Sequence, residues 1–190
     1  MNGVTLTVVA VIIVVIVVLA IVALLVNKGR VRSDRLQERF GPEYDRALQT
    51  AGSRKEAEDE LLARQKRVQS FNIRALSPNE RQQFAERWRA AQAQFVDAPA
   101  QAIVAADALV KEVMQARGYP VGDFDQNAAD LSVDHADVVS NYRAARDLVV
   151  KQQQGRTSTE DLRQAMVHFR ALFEDLLRVP ANEDLKETVP

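Results

Sequence analysis

The sequence predicts an all-α protein: one N-terminal transmembrane helix followed by a charged helical hairpin and a helical bundle of about four helices. Three observations predict it. An unbroken apolar run from Val4 to Val26 carries nothing more polar than Thr5 and Thr7. Beyond it, glycine and proline sit at the boundaries between segments with a helical apolar period. No stretch alternates in the manner of a half-buried strand.

The apolar run comes first. As a helix it would be about 34 Å long, enough to cross a bilayer with some tilt. In lipid every backbone N–H and C=O must be bonded within the segment, which selects a helix despite the many valines and isoleucines. A cleaved signal peptide fits poorly, because Met1 to Gly3 carries no basic side chain and no A-x-A site follows. Lys28, Arg30, Arg32 and Arg35 follow the run and none precedes it, so the positive-inside rule places the C-terminal part in the cytoplasm. The sequence thus predicts a single-pass protein of the cell membrane. The same four basic residues are candidate contacts for lipid headgroups.

The expected divisions follow from this. Residues 1–3 form a short extracytoplasmic N-terminus, 4–26 the span, 27–70 a juxtamembrane charged helical region, 71–178 the bundle and 179–190 a disordered tail. Acids and bases are nearly balanced, 26 against 25, so neither nucleic acid nor a strongly acidic substrate is expected as a partner. The chain has no cysteine, which excludes disulfides, thiolate metal sites and a thiol nucleophile together.

Each helix has its own warrant. Leu36, Phe40, Tyr44 and Leu48 recur every fourth residue across a break at Gly41-Pro42. Ser53 with Glu56 reads as a capping box opening a charged helix to about Ser70, with only Ala57, Leu61 and Val68 for a core face. Phe71 to Leu76 reads as extended. Ser77-Pro78-Asn79-Glu80 starts a helix carrying Phe84, Trp88, Ala91 and Phe95. Asp97 and Pro99 open the next, with Ile103, Ala106, Val110 and Val113 on one face and Gly118 as its stop. Asp123 to Leu131 reads as a short helical turn. Asp134 caps a helix to about Gln154 with Val138, Tyr142, Ala145 and Val149 inward. Thr157 and Glu160 cap the last helix, whose stripe of Leu162, Ala165, Met166, Phe169, Leu172, Phe173 and Leu176 is the strongest in the chain.

Little catalytic chemistry is on offer. His135 and His168 are the only histidines, and their spacing matches no ligand pattern such as H-E-x-x-H. With Asp130 and Asp134 they define a conceivable hydrolytic or metal site, while boundary and capping roles account for them better. The run of aspartates from Asp123 to Asp137 lacks the spacing of a calcium loop. No glycine-rich phosphate loop occurs, and no cofactor is implied.

Four segments carry a resemblance. Arg39-Phe40-Gly41-Pro42-Glu43-Tyr44-Asp45, Arg117-Gly118-Tyr119-Pro120, Asp130-Leu131-Ser132-Val133-Asp134-His135 and the run from Thr159 to His168 together resemble an uncharacterised family of bacterial single-pass membrane proteins. The resemblance implies a bacterial cell membrane; it brings no activity and no catalytic residue.

The function expected from all this is a non-catalytic, membrane-anchored helical module. Its partners would be the lipid bilayer and a protein or a second copy of itself, with Phe40, Tyr44 and Leu48 as the contact stripe if the bundle leaves them uncovered. One alternative is a small hydrolase or metal-binding protein using His135, His168 and nearby aspartates. The other is a sensor of anionic lipid surfaces working through the basic residues after the run.

Overall fold

In the computed structural model, the structure describes residues 30–178 together with 13, 16, 17, 19, 20 and 27. The chain divides into two compact units between Arg39 and Phe40. In the first unit, residues 30–39 are helical. Among its described residues the second contains seven helices: α1 (Pro42–Thr50), α2 (Arg54–Val68), α3 (Pro78–Gln94), α4 (Pro99–Ala116), α5 (Phe124–Leu131), α6 (Ala136–Gln153) and α7 (Thr159–Arg178). No strand occurs among the described residues.

Among the described residues no helix is long and apolar enough to cross a membrane. The expectations of a transmembrane helix in the fold and of a single-pass place in the cell membrane are corrected by this finding. The physical reason lies in the helices themselves, which are amphipathic. Even α4, the most apolar of them, carries Asp107, Lys111 and Glu112. The predicted span 4–26 lies outside the described residues except at Ile13, Ile16, Val17, Leu19 and Ala20, and the predicted disordered tail 179–190 lies outside them altogether.

The bundle is built as its stripes dictate. α7 packs against α6 on one side and α4 on the other, and α3 lies against α4, so the neighbours run α3–α4–α7–α6. All seven stripe residues of α7 are buried, as are Ile103, Ala106, Val110 and Val113 of α4. On α6 the inward residue of the first turn is Val139 rather than Val138. α3 is half embedded: Trp88 and Ala91 are buried, while Phe84 and Phe95 are half-buried. Trp88 stacks on Phe173 of α7 with ring centroids 4.6 Å apart, which makes it a core residue.

Caps set the helix boundaries. Ser77 and Glu80 form the expected reciprocal box at the start of α3. The last helix starts one residue later than its sequence signal suggests. Ser158 and Asp161 form its box, with Asp161 N–H donating to Ser158 Oγ at 3.1 Å and Ser158 N–H to Asp161 at 2.9 Å, while Glu160 turns outward to Arg163. Neither Asp97 nor Asp134 caps its helix: the N-cap positions are Ala98 and His135, and neither makes a side-chain cap bond. The end of α4 is a Schellman turn, with Gly118 N–H donating to Gln115 O and Tyr119 N–H to Met114 O, each at 3.0 Å.

The charged hairpin α1–α2 is part of the second unit. α1 packs against α6 and α2 against α5, and α5 in turn lies against α6. From the end of α2 the chain crosses back in extended form to Ser77, pinned where Arg74 N–H donates to Arg117 O at 2.9 Å.

Candidate functional site

Two polar clusters join the helices of the second unit, and between them they hold most of the residues with chemistry to offer. The first lies where the hairpin meets α5 and α6. Pro42 opens α1 at a position where its missing N–H costs nothing; of the two acids in that first turn, Asp45 is exposed and Glu43 is buried. Arg143 of α6 grips its carboxylate with two parallel bonds, Nε to Oε1 at 2.8 Å and Nη2 to Oε2 at 2.9 Å. Arg64 of α2 reaches the same carboxylate at 3.4 Å and also bonds Glu60 and Ser132. One turn on, Arg67 donates to the fully buried Asp130 of α5 at 3.0 Å, and Gln126 donates to it at 2.8 Å. The Tyr44 hydroxyl donates to Glu58 at 3.1 Å.

Beside this cluster opens a cleft of about 330 Å³ lined by Arg46, Arg64 and Arg143 and by Glu60, Asp123 and Asp125. The two signs of charge are equally represented on its walls. It therefore presents no field that would select an anion or a cation.

The second cluster fastens the end of α7. Arg117 is buried at the C-terminus of α4, and its Nη1 donates to Leu176 O at 2.8 Å, meeting one of the carbonyls that the last turn of α7 leaves without a helical partner. His135 Nδ1 lies 2.6 Å from Asp175 Oδ2, and the Tyr119 hydroxyl donates to Asp134 at 3.0 Å. Burial pushes the Tyr119 hydroxyl well above the usual phenol range, with Asp134 adding to the effect. Its proton therefore stays in place as the donor to Asp134. Burial likewise holds the Arg117 guanidinium below its ordinary value.

The predicted site residues do not converge. His168 Nδ1 is 2.8 Å from Asn141 Oδ1 on α6. Asp175, the partner of His135, is seven residues further along the helix that carries His168, about 10 Å of rise. Asp130 serves Arg67, Asp134 serves Tyr119, and the two acids belong to different clusters. Among the described residues no group of three or more His, Asp or Glu could hold a metal ion. Of the predicted contact stripe, Phe40 and Tyr44 are buried and Leu48 is half-buried, so the condition on which that surface depended is not met. Arg30 and Arg35 are exposed and Arg32 is half-buried, whereas Lys28 lies outside the described residues.

Sequence reasoning missed Glu43, Arg64 and Arg143 as a set, and in the second cluster the pairing of His135 with Asp175 and the bond from Arg117 to Leu176 O. Glu43 and Arg143 are a hundred positions apart, so no local pattern links them. Glu43 also reads as an ordinary first-turn acid, and that camouflage is complete at the level of spacing. No protein-family model, curated protein or solved structure matches this chain.

Proposed function

We propose that the chain is a non-catalytic helical module that works by contact with another protein. What supports this reading above all is the use made of its polar residues. Both histidines, Asp130 and Glu43 each bond a side chain of another element, and Tyr119 bonds Asp134 from one interhelical connection to the next.

With Phe40 and Tyr44 buried, the contact face we assign instead is the outer side of α3 and α4. Two shallow grooves run along it, about 410 and 250 Å³ in volume. Phe84, Ala91 and Leu109 form their apolar floor, with Ala90 exposed at the rim, and Arg87, paired to Glu112 at 2.8 Å, lines both. An apolar floor beside a fixed ion pair offers a partner both a place to bury surface and a polar mark for register.

Site-specific photo-crosslinking on the full chain tests the reading. A photoreactive residue at Ala90 should give a discrete protein adduct in cells, and the same residue at Gln152 on α6 should not. An adduct of twice the chain's mass would identify the partner as a second copy. No adduct at Ala90, or equal adducts at both positions, would remove this face as the contact surface.

A further inference from the structure

The hairpin α1–α2 is joined to the bundle with fewer buried apolar residues per helix than the central helices α4 and α7 contribute. α4 and α7 each bury seven apolar residues. α1 offers Tyr44 and Ala47, and α2 offers Ala57, Leu61 and Val68. Besides these, the hairpin reaches α5 and α6 through two ion pairs, Glu43 to Arg143 and Arg67 to Asp130, and a hydrogen bond from Arg64 to Ser132 at the end of α5. Both ends of the hairpin are backbone joints. Gly41, at φ +47°, breaks the chain before α1, and after α2 the chain is extended to Ser77.

We propose that the α1–α2 hairpin is a releasable strap, latched onto α5 and α6 by the buried carboxylates of Glu43 and Asp130. Burying a charge pair costs desolvation that its mutual attraction roughly offsets, so the pairs add little net free energy to docking. They do fix its register, because any shifted docking leaves Glu43 or Asp130 buried without a cation. On release the charges return to water and recover their hydration. The strap therefore has two well-defined states, seated in one register or free. The small apolar interface leaves the gap between them narrower than the cost of unfolding the bundle. Release uncovers the face of α5 and α6 that carries Asp130 and Arg143.

Hydrogen exchange of the full chain, read by mass spectrometry at neutral pH, tests the proposal. Peptides from α1 and α2 should exchange at least roughly tenfold faster than those from α4 and α7, through an opening that leaves the bundle protected. E43Q keeps the shape but leaves two guanidiniums against a neutral amide. It should speed exchange in residues 42–68 by a further factor of about ten, with α4 and α7 unchanged. Replacing the pair together, E43L with R143L, should bring the hairpin's exchange back toward the original rate, since an apolar pair of similar size does not carry the penalty of an unmatched charge. If E43Q does not fold, R67Q perturbs the half-exposed partner of Asp130 more gently and reads the same opening. The proposal fails if α1 and α2 exchange at the same limiting rate as α4 and α7, or if either single variant speeds all helices alike.

Discussion

Gly118 and Gly155 show how far a single residue can be read. Both end a helix at positive φ, 94° and 67°, and both close Schellman turns, with Arg156 N–H donating to Lys151 O in the second. The sequence marks both as stops in the same way. The structure separates them. A Cβ at Gly155 would meet nothing within 4 Å, whereas one at Gly118 would lie 2.2 Å from Asn72 O of the extended crossing. Gly155→Ala should therefore cost about 1 kcal/mol, the ordinary penalty of the left-handed backbone. Gly118→Ala should cost at least about 3 kcal/mol, because the strap of chain from Asn72 to Arg74 must also move. Urea denaturation followed by circular dichroism compares the two directly. Equal losses would mean that the crossing is not held against the turn. This close approach was illegible in the sequence, since it joins residues 46 positions apart; the helix stop was legible, because it depends only on the backbone freedom of glycine.

At the scale of the element, the caps separate what is local from what is not. Ser77, Pro78 and Glu80 were readable because a capping box satisfies its donors within four residues. Asp134 carries the same local signal and does something else, since Tyr119 claims its carboxylate from the α4–α5 connection. A tertiary partner outcompeted the cap, and no spacing rule could show it. The N-terminus of α3 also carries a pH dependence. The Arg74 guanidinium, helped by the bonds from Ser77, holds the Glu80 carboxyl down at about 2, from an ordinary value of 4.5. A depressed carboxyl stabilises the fold above its unfolded pKa and loses that contribution as pH falls toward the folded one. The first turn of α3 should thus loosen as pH falls from about 4.5 to about 2, by a modest amount because the pair is solvent-exposed. Amide chemical shifts of residues 77–81 should follow Glu80 over that range, and Glu80→Gln should abolish the change. A titration unchanged in the variant would assign it to other groups.

At the scale of the molecule, α7 decides whether the bundle exists. Its stripe was the strongest in the sequence, and it is the helix that lies between α4 and α6 while also stacking Phe173 on Trp88 of α3. The all-α bundle was legible because a stripe that must be buried and has no other shelter forces helices together. The docking of the hairpin was not, because ion pairs across a hundred residues leave no periodicity. Phe169 sits at the centre of this arrangement, fully buried and edge-on to Tyr142 of α6 at 6.4 Å between ring centroids. Phe169→Ala should cost about 3 to 5 kcal/mol, through lost burial and the cavity left behind. Because α7 is shared by α3, α4 and α6, that loss should fall on the bundle as one cooperative unit. Trp88 is the only tryptophan, and its fluorescence reports the α3–α7 stack. Its unfolding midpoint in urea should shift together with the loss of helix seen by circular dichroism. If the tryptophan signal kept its original midpoint while helix content fell earlier, α3 and α7 would form a unit of their own, and α7 would not be the element on which the other helices depend.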